Sequence, residues 1–271
     1  MDFGLIIIGD EILSGKRQDK HLPKVIELLA ERGLSLSWVR YVGDDRERIT
    51  ADLKFALSSG DVVFSCGGIG ATPDDHTRHC AASALGVDLV LHPEARDLIF
   101  ERMAEVAAEQ GQPYEPDRAD NQHRLNMAVF PSGAAVIPNP FNKIAGFSLP
   151  SLRAGEGGVY FVPGFPVMAW PMIAWVLDHR YAHLKRAPTT SEKSVIVFGA
   201  MEAALTPLME AIEASYSGVR VFSLPSVDHP QWGKHIELGV KGEPELLTTA
   251  YDALLRGLRE HGAKLGPELV R

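Results

Sequence analysis

The stretch Cys66-Gly67-Gly68-Ile69-Gly70-Ala71-Thr72-Pro73-Asp74-Asp75-His76-Thr77 combines three glycines, a Thr-Pro pair and two adjacent acids. Glycines let backbone N–H groups approach an anion, and a helix starting behind such a loop adds a favourable dipole. Two carboxylates beside a phosphate would repel it unless a cation lies between them. Hard cations such as Mg²⁺ are held in this way, by one or two carboxylates together with phosphate oxygens. A local reading competes. With Thr72 as N-cap, Pro73 at the first helical position and Asp75 three residues after the cap, the acids only stabilise a helix start.

Two further acid pairs occupy comparable places. The apolar run Phe3-Gly4-Leu5-Ile6-Ile7-Ile8 leads into Gly9-Asp10-Glu11, and the alternating stretch Leu36 to Val42 leads into Gly43-Asp44-Asp45. Taken singly, Asp10 and Glu11 are ordinary loop acids, and Asp44 or Asp45 is an N-cap. Asp19 has the same local use ahead of an apolar helical pattern closed by Gly33. Together, Asp10, Asp44 and Asp75 all follow predicted strands, so a parallel sheet carries them to one edge. Open α/β sheets bind ligands at that edge, and acids converging on a glycine cradle make a metal and phosphate site. His76 and His79 flank the motif, as a base or as helix-surface histidines. Lys143, among the turn formers Asn139 to Phe147, either pairs with a phosphate or is a solvated loop lysine.

The elements that must position these residues are legible as buried runs and helical periods. Val62-Val63-Phe64-Ser65 is a strand before the motif, and His79 to Leu85 a helix after it, ended by Gly86. Pro93-Glu94 opens a long helix through Leu98, Ile99, Met103 and Val106. Asp120 to Asn126 is a polar stretch, a short helix or part of the site rim. Met127 to Phe130 and Ala134 to Ile137 are expected to form a small β-layer with tight turns. Val159 to Val162 is a strand ended by Pro163-Gly164-Phe165-Pro166, which opens a helix from Val167 to Leu177 whose Trp170 and Trp175 read as core or interface. The last third follows a β-α-β-β-α order, expected as a small α+β domain with helices on one face of a sheet. The expected domains are 1–186 and 187–271.

Composition narrows the function. A net charge of −8 over 271 residues argues against a general nucleic-acid binder, although a local positive pocket for a phosphorylated metabolite remains possible. The two cysteines, Cys66 and Cys80, give neither a disulfide framework nor a metal-binding pair. No signal peptide or membrane span is expected, which points to a soluble cytoplasmic protein. The sequence contains no H-E-x-x-H, no G-x-S-x-G and no Walker A motif.

The motifs Gly9-Asp10-Glu11-Ile12-Leu13-Ser14-Gly15, Val42-Gly43-Asp44-Asp45 and Gly67 to Thr77 resemble the N-terminal domain of CinA-type proteins. Asn139-Pro140 and Pro163-Gly164-Phe165-Pro166 follow in the same order. The resemblance covers roughly the first two-thirds of the chain and implies an α/β fold of the molybdopterin-binding (MoaB/Mog-like) type. That fold is three-layered with a mostly parallel sheet, and a small KH-like α+β domain follows it. It implies one of two activities: a divalent-metal-dependent hydrolase of a nucleotide pyrophosphate such as ADP-ribose, or molybdopterin binding or adenylyl transfer. The partner is then a nucleotide or pterin phosphate, with no nucleic acid or membrane, and a homo-oligomer is expected. The deamidase domain of longer CinA proteins is expected to have no room here.

On this resemblance Gly9, Gly67, Gly68, Gly70, Thr72 and Asn139 bind the substrate phosphate. Asp10, Asp44, Asp74 and Asp75 hold Mg²⁺, Mn²⁺ or Co²⁺, with Asp10, Asp44 and Asp75 also orienting the attacking water. Lys143 offsets charge, and Pro163 and Gly164 close the far wall. The chain departs from the pattern at Asp19-Lys20-His21 and at Phe141-Asn142-Lys143-Ile144-Ala145.

Overall fold

In the first run, alternate residues must find two different apolar environments, because successive strand side chains point to opposite faces. The computed structural model, which describes residues 1–153, 157–186 and 191–270, shows both environments. Phe3, Leu5 and Ile7 pack with Val25, Leu29, Ile173 and Val176 on one face. Ile6 and Ile8 pack with Ile49, Leu53 and Leu57 on the other. The uninterrupted apolar run is therefore the signature of a strand covered twice.

The chain divides into two compact units, Met1–Lys185 and Arg186–Arg271. Residues 187–190, where the predicted boundary falls, lie outside the described residues. Unit one runs β1 (Phe3–Ile8), α1 (Asp10–Leu13), α2 (His21–Ala30), β2 (Trp38–Val42), α3 (Arg46–Ser59), β3 (Val62–Cys66) and α4 (Thr77–Leu85). It continues with β4 (Leu89–Leu91), α5 (Pro93–Glu109), α6 (Ala119–Arg124), β5 (Val129–Pro131), β6 (Ala135–Ile137), β7 (Gly146–Pro150), β8 (Gly158–Val162) and α7 (Pro166–Arg180).

The six-stranded sheet has the order β2-β1-β3-β8-β7-β6. Its first four strands are parallel, and β7 runs antiparallel to both β8 and the edge strand β6. With helices over both faces this is the three-layer, mostly parallel architecture expected. The Arg32 guanidinium ties α2 to α7 as a fork, donating from Nε to Asp178 Oδ1 at 2.8 Å and from Nη2 to Oδ2 at 2.7 Å. Among the described residues no helix is long and apolar enough to cross a membrane.

Two expectations fail locally. The small β-layer does not exist as one sheet: β5 pairs with β4 in a separate ribbon, while β6 forms the edge of the main sheet. Met127 lies in a 3₁₀ turn, Leu125–Ala128, rather than a strand. Short apolar pieces carry too little pattern to name their partners. Phe130 nevertheless joins the main core, stacked on Phe147 at 4.8 Å, which in turn stacks on Phe161 at 4.3 Å.

Unit two runs β9 (Ser191–Phe198), α8 (Glu202–Ser215), β10 (Arg220–His229), β11 (Gly233–Gly242), α9 (Pro244–Glu260) and β12 (Lys264–Val270). Its antiparallel sheet has the order β10-β11-β9-β12. Val195, Val197, Ile236 and Leu238 pack under Leu205, Ile212, Leu254 and Leu258, so both helices cover one face. The closing strand β12 is absent from the sequence-based reading. Its Gly266-Pro267 pair and sparse apolar residues hide it.

Phe147 is fully buried between two stacked rings. Phe147→Ala is expected to destabilise unit one by about 3–5 kcal/mol, measured by urea unfolding.

Candidate functional site

The strand β3 ends at Cys66, and the chain then turns through two glycines that no other residue could replace without strain. Gly67 has φ +107°, and a Cβ there would collide with the Ile8 carbonyl. Gly68 has φ +68°, and its Cβ would meet the Thr77 hydroxyl. The turn is pinned from behind. Thr77 donates its hydroxyl to Gly67 O at 3.0 Å and its N–H to Gly68 O at 3.0 Å. Arg78 donates from Nη2 to Gly70 O at 2.6 Å and from Nη1 to Asn126 O.

Held in this way, the backbone N–H groups of Gly68, Ile69, Gly70 and Ala71 have no acceptor among the described residues. Unpaired buried or half-buried amides are rare, and a run of them in a turn is an anion-binding concavity. All four residues line a cavity of about 530 Å³ at the carboxyl ends of β1, β3 and β8, a size typical of small-molecule sites.

The capping reading of Thr72 is corrected here. The helix starts at Thr77, not Pro73. Thr72 and Asp75 close a turn of their own. Asp75 N–H donates to Thr72 O at 3.0 Å, while Asp75 Oδ2 accepts the Thr72 N–H at 2.8 Å and its hydroxyl at 2.5 Å. Side-chain-to-backbone bonds of this kind compete with helix and win here.

Glu11, Asp44, Asp74 and Asp75 line the same cavity as the unpaired amides. Asp10 does not line it. Instead Asp10 and Asp44 exchange bonds: Asp10 N–H donates to Asp44 Oδ2 at 2.9 Å, and Asp44 N–H to Asp10 Oδ1 at 3.1 Å. Asp10 therefore positions Asp44. Burial pushes the Asp44 carboxyl up from its ordinary value. The Asp10 N–H bond acts in the opposite direction, and the nearby charges of Asp10, Glu11 and Asp74 add to the rise. Asp74 is held low, first by the Thr72 hydroxyl and then by its own backbone N–H. Asp45, not Asp44, caps α3, accepting the Arg48 N–H at 2.8 Å.

Gly9, Pro163 and Gly164 complete the walls, as expected from sequence. His21, buried at the start of α2, meets Gly164 O through Nε2 at 3.0 Å and so fixes that wall. Asp19 accepts from the His21 and Leu22 N–H groups, its expected capping use. Glu11, Arg17 and Phe165 line the cavity without having been assigned to the site from sequence. Arg17 is the basic residue of the lining, and Phe165 is an aromatic wall 55% exposed. The Lys16-Arg17 pair just after the first acid motif is the signal that could have found Arg17.

Lys143 and Asn139 lie elsewhere. Lys143 Nζ pairs with Glu101 at 2.6 Å and with Glu105, both on α5. Asn139 is buried and holds its own turn, donating to Ile144 O at 2.9 Å and accepting the Phe141 N–H at 3.0 Å. Neither lines the cavity.

The donor set suits a hard divalent cation, being carboxylate oxygen throughout. Among the described residues no three acid, histidine or cysteine side chains converge closely enough to hold an ion unaided. Mg²⁺ fits such a site when phosphate oxygens and waters supply its remaining ligands.

The first unit is thus an α/β domain with an amide-floored, acid-walled cavity at the carboxyl edge of a mostly parallel sheet. Residues 4–183 match the family described as "Probable molybdopterin binding domain", and the chain belongs to that family. It is 31% identical over 223 residues to a CinA-like protein of Anaeromyxobacter sp. (strain K), covering 81% of this chain and 51% of that protein. It is 30% identical over 272 residues to a CinA-like protein of Geobacter metallireducens, covering 98% of this chain and 59% of that one. The chain thus spans about half to three-fifths of the length of these relatives. A crystal structure of "the protein CinA with unknown function" from Thermoplasma acidophilum matches with a TM-score of 0.53 and 26% identity. The match covers 66% of this chain and 97% of that one.

The folded state raises the Asp44 carboxyl pKa, so it binds this proton more tightly than the unfolded chain does. The resulting stability is present in full below the unfolded value of about 4 and is lost as pH rises through the folded value. At neutral pH without divalent metal, Asp44→Asn is therefore expected to be neutral or to raise Tm by about 2 °C. A thermal melt of both proteins checks this; a fall in Tm would contradict the penalty for burying the Asp44 charge.

Proposed function

We propose that the cavity binds a nucleotide pyrophosphate of the ADP-ribose kind and hydrolyses it with the help of Mg²⁺, Mn²⁺ or Co²⁺. One observation carries the reading: four unpaired amide N–H groups share a cavity with four carboxylates. The amides call for an anion and the carboxylates call for a cation, and a phosphate bridged by a divalent ion satisfies both. When bound, the cation would polarise a phosphoryl oxygen and acidify a coordinated water.

The chain's own groups have distinct tasks on this reading. The amides of Gly68, Ile69, Gly70 and Ala71 bind phosphate oxygens, and Arg17 offsets their charge in the place first given to Lys143. Asp74 and Asp75 hold the cation with Asp44. Asp44 Oδ2 is committed to the Asp10 N–H, which leaves Oδ1 to take a proton from the attacking water. Phe165 offers a flat apolar face to a planar base.

A second reading has a pterin phosphate bound in the same cavity with adenylyl transfer or no turnover. The family's description as a molybdopterin-binding domain favours it. Phosphate cradle and aromatic wall serve either ligand.

Turnover of ADP-ribose, with FAD and NADH alongside, across Mg²⁺, Mn²⁺ and Co²⁺ separates the two. Release of AMP is expected, and Asp75→Asn is expected to lower kcat/KM by about 10²-fold or more in a folded protein. Lys143→Ala is expected to leave kcat/KM unchanged. No cleavage with any metal, together with copurified pterin fluorescence, would favour the second reading.

A further inference from the structure

The turn that floors the front cavity has a second face. Behind it lies a separate cavity of about 260 Å³, lined by Arg46, His76, Arg78, His79 and Asp75 among others. In a chain of net charge −8 this is a concentration of basic groups. Neither Arg46 nor Arg78 forms an ion pair with a carboxylate among the described residues. Arg46, at the exposed start of α3, has no side-chain hydrogen bond. Arg78 is only 4% exposed, and its Nε–H is buried without an acceptor. Its Nη1 and Nη2 are bonded to neutral carbonyls, and Asp75 supplies a nearby counter-charge. A buried guanidinium with an unpaired donor is costly unless something anionic completes it.

The surrounding charges agree. Burial first, and then Arg78, Arg46 and His76, lower the His79 imidazole pKa, as expected where positive groups crowd together. The opposing carboxylate, Asp75, has Oδ2 occupied by the Thr72 N–H and hydroxyl.

We propose that this rear cavity is a second oxyanion site that takes a phosphate group between Arg46 and Arg78. Planar guanidinium donors on two elements match a tetrahedral oxyanion. The cavity is about half the volume of the front one and has room for a phosphate group. The site needs no metal and does not rest on the proposed hydrolysis.

Calorimetric titration of the full chain with inorganic phosphate in metal-free buffer tests it. Saturable binding is expected, weakened about tenfold in Arg46→Gln, the loss of one charge-assisted contact. Lys143→Ala, at a residue that lines neither cavity, is expected to bind phosphate as the parent does. A parallel titration with AMP separates the sources: tighter binding of AMP with the same Arg46 dependence assigns the site to a nucleotide phosphate, and tighter binding of inorganic phosphate assigns it to the free ion. Absence of saturable binding, or equal affinity in Arg46→Gln and the parent, would overturn the proposal. Turnover in the presence of metal is read separately, so failure here leaves the front-site reading intact.

Discussion

Thr77 and Arg78 hold the loop after β3 away from any partner of its own. By taking the carbonyls of Gly67, Gly68 and Gly70, they fix the backbone so that the next four amides point to no acceptor among the described residues. Leaving donors unpaired is unfavourable by itself, since each lost hydrogen bond leaves a desolvated group. The fold sustains it because strands β1, β3 and β8 are covered on both faces, and the loop is anchored to that core. Gly67, whose Cβ would strike the Ile8 carbonyl, makes the close approach between β1 and β3 possible.

The acids repeat the same logic with charge. Glu11, Asp44, Asp74 and Asp75 come from three different strand-to-helix connections, and parallel topology brings those connections to one edge. Asp10 locks Asp44 into place through reciprocal backbone bonds rather than entering the cavity. The result is a cavity with acidic walls and a floor of unpaired amides, and on the proposed reading a cation and an anion fill it together. Behind the same turn, Arg46, Arg78, His76 and His79 gather basic groups around Asp75, which lines both cavities.

Much of this was legible in the sequence. The buried runs of β1, β3 and β8 led directly to a parallel sheet, and the acids after strands to the edge where the cavity lies. Glycine spacing marked the loop whose amides line it. What stayed hidden depended on tertiary contact. Lys143 reads as a phosphate partner until α5 supplies Glu101 and Glu105. Thr72 reads as a cap until Asp75 folds back on it. Arg78 has no local pattern that marks it, because its role comes from carbonyls distant in sequence. The strand β12 was missed because a glycine-proline pair interrupts its pattern.

The central claim is that metal and phosphate bind interdependently in the front cavity. Water-proton relaxation with Mn²⁺, titrated with and without ADP-ribose, measures this directly. The account predicts weak Mn²⁺ binding alone, tightened about tenfold or more by the nucleotide, as expected for a coordination sphere completed by phosphate oxygens. Mn²⁺ affinity unchanged by nucleotide would contradict it.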